Sequence, residues 1–66
     1  MKIFINGEAH ELEKPLTLEQ LLVSLSISQK RVAVELNREI VPHGQYQNSH
    51  IKAEDRVEIV HAIGGG

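Results

Sequence analysis

The absence of cysteine is the tightest constraint on how this chain can fold. With 66 residues and no thiol, neither disulfides nor thiolate-held zinc can staple the molecule, so one small core must hold by packing alone. A domain of this size buries only about 60% of the surface that its unfolded chain exposes. That leaves no room for a second domain or an enclosed substrate cavity. Iron–sulfur clusters and a cysteine nucleophile are excluded with the thiols. A single domain over residues 1–66 is expected.

Local pattern then divides the chain. Met1 to Ile5 is β-prone and Asn6-Gly7 is the strongest two-residue hairpin signal, so a first hairpin returns over Glu8 to Glu13. The two-residue period sends Ile3 and Ile5 to one face, Lys2 and Phe4 to the other. Lys14-Pro15-Leu16 breaks the strand. Thr17, with Gln20 three residues on, forms a capping box, and Leu18, Leu21, Leu22 and Leu25 fall on one helical stripe. Ser26-Ile27-Ser28 offers no glycine to end that helix.

Val32 to Leu36 reads as a strand, Asn37-Arg38 as a tight turn, and Glu39-Ile40-Val41 as a return that Pro42 stops. The polar stretch 43–50 is expected to cross the surface irregularly, with Tyr46 as a plug, before Ile51 re-enters the core. After a turn at Lys52 to Asp55, Arg56 to His61 makes a last strand. It sends Val57 and Ile59 to one face and Glu58 and Val60 to the other. This order predicts an α+β fold: a small mixed sheet with one amphipathic helix packed across one face, the opposite face left open.

Charge narrows the function. Seven Lys and Arg stand against nine Asp and Glu, and only Lys30 and Arg31 are adjacent, which disfavours nucleic acid because phosphates need clustered cations. No apolar stretch approaches a membrane span or a signal-peptide core, so no membrane partner and a cytoplasmic location are expected. The four histidines are separated by 33, 7 and 11 positions, which matches no compact metal-ligand spacing. No catalytic residue is assigned, because no triad or carboxylate pair can be argued.

Gly64-Gly65-Gly66 is the outstanding motif. Glycine-rich ends are also what a frayed terminus or a linker leaves, since such chain is flexible and unpacked. What the glycines permit chemically is a carboxylate with no Cβ beside it, on a backbone able to take dihedrals closed to other residues. Extended from Ile63, three residues reach about 10 Å, enough to bring a Gly66 carboxylate into a partner's active site. A free carboxylate is a poor electrophile, and the chain has no phosphate-cradling loop, so activation must come from another protein. The chain is read as a co-substrate and not an enzyme, with 62–66 as a flexible C-terminal tail.

Taken together, several segments resemble a known family. They are Met1-Lys2-Ile3-Phe4-Ile5-Asn6-Gly7, the Leu-rich helix after Thr17, Val34-Glu35-Leu36-Asn37 followed by Ile40-Val41-Pro42, and Asp55-Arg56-Val57-Glu58-Ile59-Val60 running into the glycines. Over all 66 positions the chain is similar to the ubiquitin-like β-grasp sulfur carriers of thiamine biosynthesis, the ThiS family. The resemblance implies that an E1-like adenylyltransferase, using ATP and magnesium, adenylates the Gly66 carboxylate, while this chain binds no cofactor. Sulfur from a donor system such as a cysteine desulfurase then replaces AMP, and the Gly66 thiocarboxylate delivers it to thiazole synthase.

On that reading Gly64 and Gly65 thread the partner. Phe4 and Val60, on the open face, are candidate partner contacts, Ile63 sits at the tail's root or the partner's entrance, and Glu54, Asp55 and Glu58 form a candidate acidic rim. Carriers for molybdopterin synthesis or tRNA thiolation, and ubiquitin-like protein modifiers, share the diglycine end. A plain interaction module with an inert tail also stays open.

Overall fold

The computed structural model describes residues 1–61, so the expected tail over 62–66 lies outside the described residues. Strands β1 (Lys2–Ile5) and β2 (Glu8–Glu11) form the first hairpin, with Ile5 opposite Glu8. Its two-residue loop has positive φ at both positions, 49° at Asn6 and 85° at Gly7, as a type I′ turn requires. Strands β3 (Val32–Leu36) and β4 (Glu39–Val41) form the second, with Leu36 opposite Glu39. Here too both loop residues have positive φ, 52° at Asn37 and 72° at Arg38.

Helix α1 (Leu18–Ser24) starts at the expected capping box. The Gln20 N–H donates to Thr17 Oγ1 at 3.1 Å and the Thr17 N–H donates to Gln20 Oε1 at 2.9 Å. Leu18, Leu21 and Leu22 are buried, whereas Leu25 closes the helix and is 36% exposed, so the apolar stripe is one leucine shorter than its spacing predicts. Ser26 supplies the left-handed residue that a glycine usually provides, at φ 60°. Its N–H donates to Val23 O at 3.0 Å and the Ile27 N–H donates to Leu22 O at 2.9 Å, a complete Schellman closure. Ile27 then packs partly buried against the core.

A short 3-10 turn (Gln29–Arg31) leads into β3, and a longer one (His43–Asn48) makes the crossing expected over 43–50. Tyr46 fills that crossing from beneath at 1% exposure, and Ile51 returns to the core. The crossing is stitched to the start of α1 by Leu18 N–H to Ser49 O at 2.8 Å and Ile51 N–H to Leu16 O at 2.9 Å.

Strand β5 (Arg56–His61) lies at the centre of the five-stranded sheet, whose order is β2-β1-β5-β3-β4. It runs parallel to β1 and antiparallel to β3, which makes the sheet mixed. Parallel neighbours cannot be joined by a tight turn, and the chain between β1 and β5 carries α1 and the whole second hairpin. Ile3, Ile5, Val32, Val34, Val57 and Ile59 point from the sheet into a core that α1 and Tyr46 cover. Each side chain buried from exposure contributes roughly 1.5–3 kcal/mol, which is how a domain without staples holds together.

Candidate functional site: the open sheet face and the strand that leads to the glycines

Alternation along the strands places Lys2, Phe4, Arg56, Glu58 and Val60 on the sheet face opposite α1, together with Ala33, Glu35 and Ile40. Phe4 and Val60 therefore share a face, but they are not brought into contact. Phe4 stands beside Arg56 in register, and Val60 lies four residues further along β5, about 13 Å at the usual strand rise.

Phe4 is half-buried because two cations cover it. Lys2 Nζ lies 5.6 Å from the ring centroid and the Arg56 guanidinium carbon 5.2 Å, both within cation–π range. Val60 is 59% exposed and faces Ala33 on β3, while Ile40 on the edge strand is 75% exposed. The aliphatic side of the open face is thus the more accessible one. Between the two sides, Glu58 sits directly opposite Glu35.

The acidic rim is only partly free. The Asp55 carboxylate is tied into its own turn, accepting from Asn37 Nδ2 at 3.0 Å and from the Lys52 N–H at 2.7 Å, so it shapes the turn into β5. Glu54 and Glu58 are exposed. Among the described residues no group of three or more metal-ligating side chains occurs. His10 lies 3.6 Å from Glu8, and His43 Nε2 is 2.9 Å from Val32 O with its ring 5.0 Å from that of Tyr46.

Burial pushes the Tyr46 phenol above its ordinary value, an effect that the nearby Val34 backbone offsets in part. That approach falls short of hydrogen-bond geometry, so the hydroxyl has no partner among the described residues. No helix among them is long and apolar enough to cross a membrane.

The turn asparagines emerge as residues that the hairpin signal alone does not reveal. Asn6 donates its backbone N–H to Val57 O at 2.8 Å, and its side chain brackets Ile59, with Nδ2 donating to the carbonyl at 3.2 Å and Oδ1 accepting from the N–H at 2.7 Å. Asn37 donates its N–H to Arg56 O at 2.8 Å and accepts from the Arg56 N–H at 2.9 Å. Both hairpin turns thus grip β5, one near each end. The signal that hints at this is an asparagine at the first turn position in both hairpins. Ile63, Gly64, Gly65 and Gly66, the remaining candidate site residues, lie outside the described residues.

Comparison with known proteins extends past that limit. The pattern of the ThiS family matches residues 3–66. Over all 66 residues the chain is 46% identical to part of a thiazole synthase from Magnetococcus marinus, and it spans only 20% of that relative's length. It is 36% identical over 63 residues to the sulfur carrier protein ThiS of Bacillus subtilis, covering 94% of this chain and 96% of that one. Among solved structures, the crystal structure of the thiamine biosynthesis protein ThiS from Geobacter metallireducens matches with a TM-score of 0.87 at 30% identity, covering all of both chains.

Proposed function

This chain belongs to the ThiS family of sulfur carriers in thiamine biosynthesis, and from that premise we propose that its Gly66 carboxylate is the group that is activated, charged with sulfur and handed on. The family match running through residue 66 is the observation that carries this reading. The chain is acted upon and is not itself the enzyme.

In the first step a Gly66 carboxylate oxygen attacks the α-phosphorus of ATP on an E1-like adenylyltransferase, with magnesium, and pyrophosphate leaves. The resulting mixed anhydride is a good electrophile with an unhindered carbonyl, because no Cβ crowds it. The outer sulfur of a persulfide on a donor such as a cysteine desulfurase then displaces AMP to give an acyl disulfide, and a thiol reductant cleaves its S–S bond, leaving the terminal thiocarboxylate and a new disulfide. Gly64 and Gly65 carry that end through a channel too narrow for side chains. Thiazole synthase consumes the sulfur, a partnership supported by the relative named thiazole synthase, part of whose own chain aligns with all of this one.

Docking falls to the open face, where Val60 offers exposed aliphatic surface and Phe4 lies under its two cations. Ile63 is assigned to the tail's root. Intact-mass spectrometry tests the reading: with adenylyltransferase, ATP, magnesium and a sulfur source, the chain gains the mass of one oxygen exchanged for sulfur. Deletion of Gly66 abolishes that gain. An unchanged gain after the deletion refutes the assignment, whereas high-mass conjugates in place of free thiocarboxylate favour a protein modifier. A thiocarboxylate consumed only by a molybdopterin or tRNA-thiolating enzyme redirects the pathway.

A further inference from the structure

Delivery of a chain end depends on where the last strand is released, and one side chain governs that point. We propose that Asn6 is a positioning residue for the carrier reaction: its amide stands in for the next rung of β1 and holds Ile59, so that the last residues of β5 stay fixed in the sheet. This inference rests on the carrier reading above.

Backbone pairing between β1 and β5 ends with Ile5 opposite Val57. Past that point the chain turns at positive φ and its backbone departs toward β2, so that among the described residues the β1 side of β5 has no strand neighbour there. The Asn6 side chain restores the pairing there. Its Nδ2 and Oδ1 present the same donor and acceptor as a peptide unit, and Ile59 uses both. On the opposite side β3 continues to pair as far as Val32 opposite His61. Among the described residues, Ile59 is therefore held from its β1 side through Asn6.

The consequence is kinetic. With one side released, the end of β5 samples more directions, and re-ordering it falls on the binding step with the activating enzyme. Chemistry at the bound terminus is unaffected. The expected signature is a higher KM for the carrier at unchanged kcat.

The experiment compares Asn6→Gly with Asn37→Gly in the full chain, using the E1-like adenylyltransferase with ATP and magnesium. Glycine accepts positive φ without strain, so both turns still form. Each variant loses its two side-chain bonds to the β5 region, one set near the strand's exit and the other at its entry. Both are assayed at a temperature where circular dichroism shows them fully folded.

Asn6→Gly is expected to raise the carrier KM about fivefold with kcat changed less than about twofold, the size of effect one or two net hydrogen bonds supply. Asn37→Gly stays near the wild-type KM. Amide exchange accelerates at Ile59 in Asn6→Gly alone. Equal KM values for the two variants, or a fall in kcat without a rise in KM, overturn the proposal. If Asn6→Gly does not fold, Asn6→Asp keeps the turn and the acceptor but loses the donor to Ile59 O, and an unchanged KM there overturns it equally. A wild-type chain that is never adenylated refutes the carrier reading instead, so the two failures are distinguishable.

Discussion

The two hairpins turn through similar positive φ angles, with the same residue at the first turn position and different residues at the second. Asn6 and Gly7 stand at φ 49° and 85°, Asn37 and Arg38 at 52° and 72°. Glycine takes that conformation freely, and asparagine tolerates it, but a side chain such as that of Arg38 raises the energy by about 1–2 kcal/mol. The first turn position is asparagine in both, and in both it grips β5. The difference teaches that the first position does two jobs, shaping the turn and holding the central strand, while the second only shapes the turn and tolerates a poor fit.

The grips also differ in setting. The bonds of Asn6 to Ile59 are partly buried, whereas those of Asn37 to Asp55 and Arg56 are exposed to water, which competes for them. Asn6→Ala should therefore be the most damaging change in either turn, at about 3 kcal/mol from two lost bonds and a non-glycine residue left at positive φ. Asn37→Ala should lose about 2 kcal/mol for the same reasons with weaker bonds. Urea unfolding of both variants measures the gap, and the reverse order breaks the comparison.

Gly7→Ala tests the turn without touching the grip. No atom within 4 Å obstructs a Cβ at Gly7, so its effect comes from φ 85° alone, about 1 kcal/mol and a melting-temperature fall of roughly 4–8 °C. A neutral result would mean the backbone shifts to relieve the strain. Arg38→Gly is the smallest and opposite effect. Relief of the left-handed arginine, set against glycine's greater unfolded-state entropy, leaves a gain of about 0.5 kcal/mol, read as a higher urea midpoint at constant slope.

Much of the architecture is legible in the sequence. The Thr17 and Gln20 capping box, the Asn6-Gly7 turn, the Tyr46 plug and the alternation of Val57, Glu58, Ile59 and Val60 each act over a few residues, where sequence and conformation are directly coupled. The end of α1 was less legible, because Ser26 closes the helix in a conformation that usually calls for glycine, held there by Ile27 packing onto the core. On the candidate site, strand period correctly set the phases of Phe4 and Val60 but said nothing of Lys2 and Arg56 closing over the ring. Asp55 looked like rim charge, yet its carboxylate is committed to Asn37 and Lys52.

Local pattern was enough for the kinds of elements and the faces they bury. Long-range pairing was not readable in that way. That β5 lies between β1 and β3, that an asparagine 53 positions earlier completes its hydrogen bonding, and that two cations shelter Phe4 all depend on which strands become neighbours. Neighbours are chosen when the whole core is buried at once, since hydrophobic burial is non-directional and rewards any arrangement that hides the same faces. Hydrogen bonds such as those of Asn6 then single out one register among them.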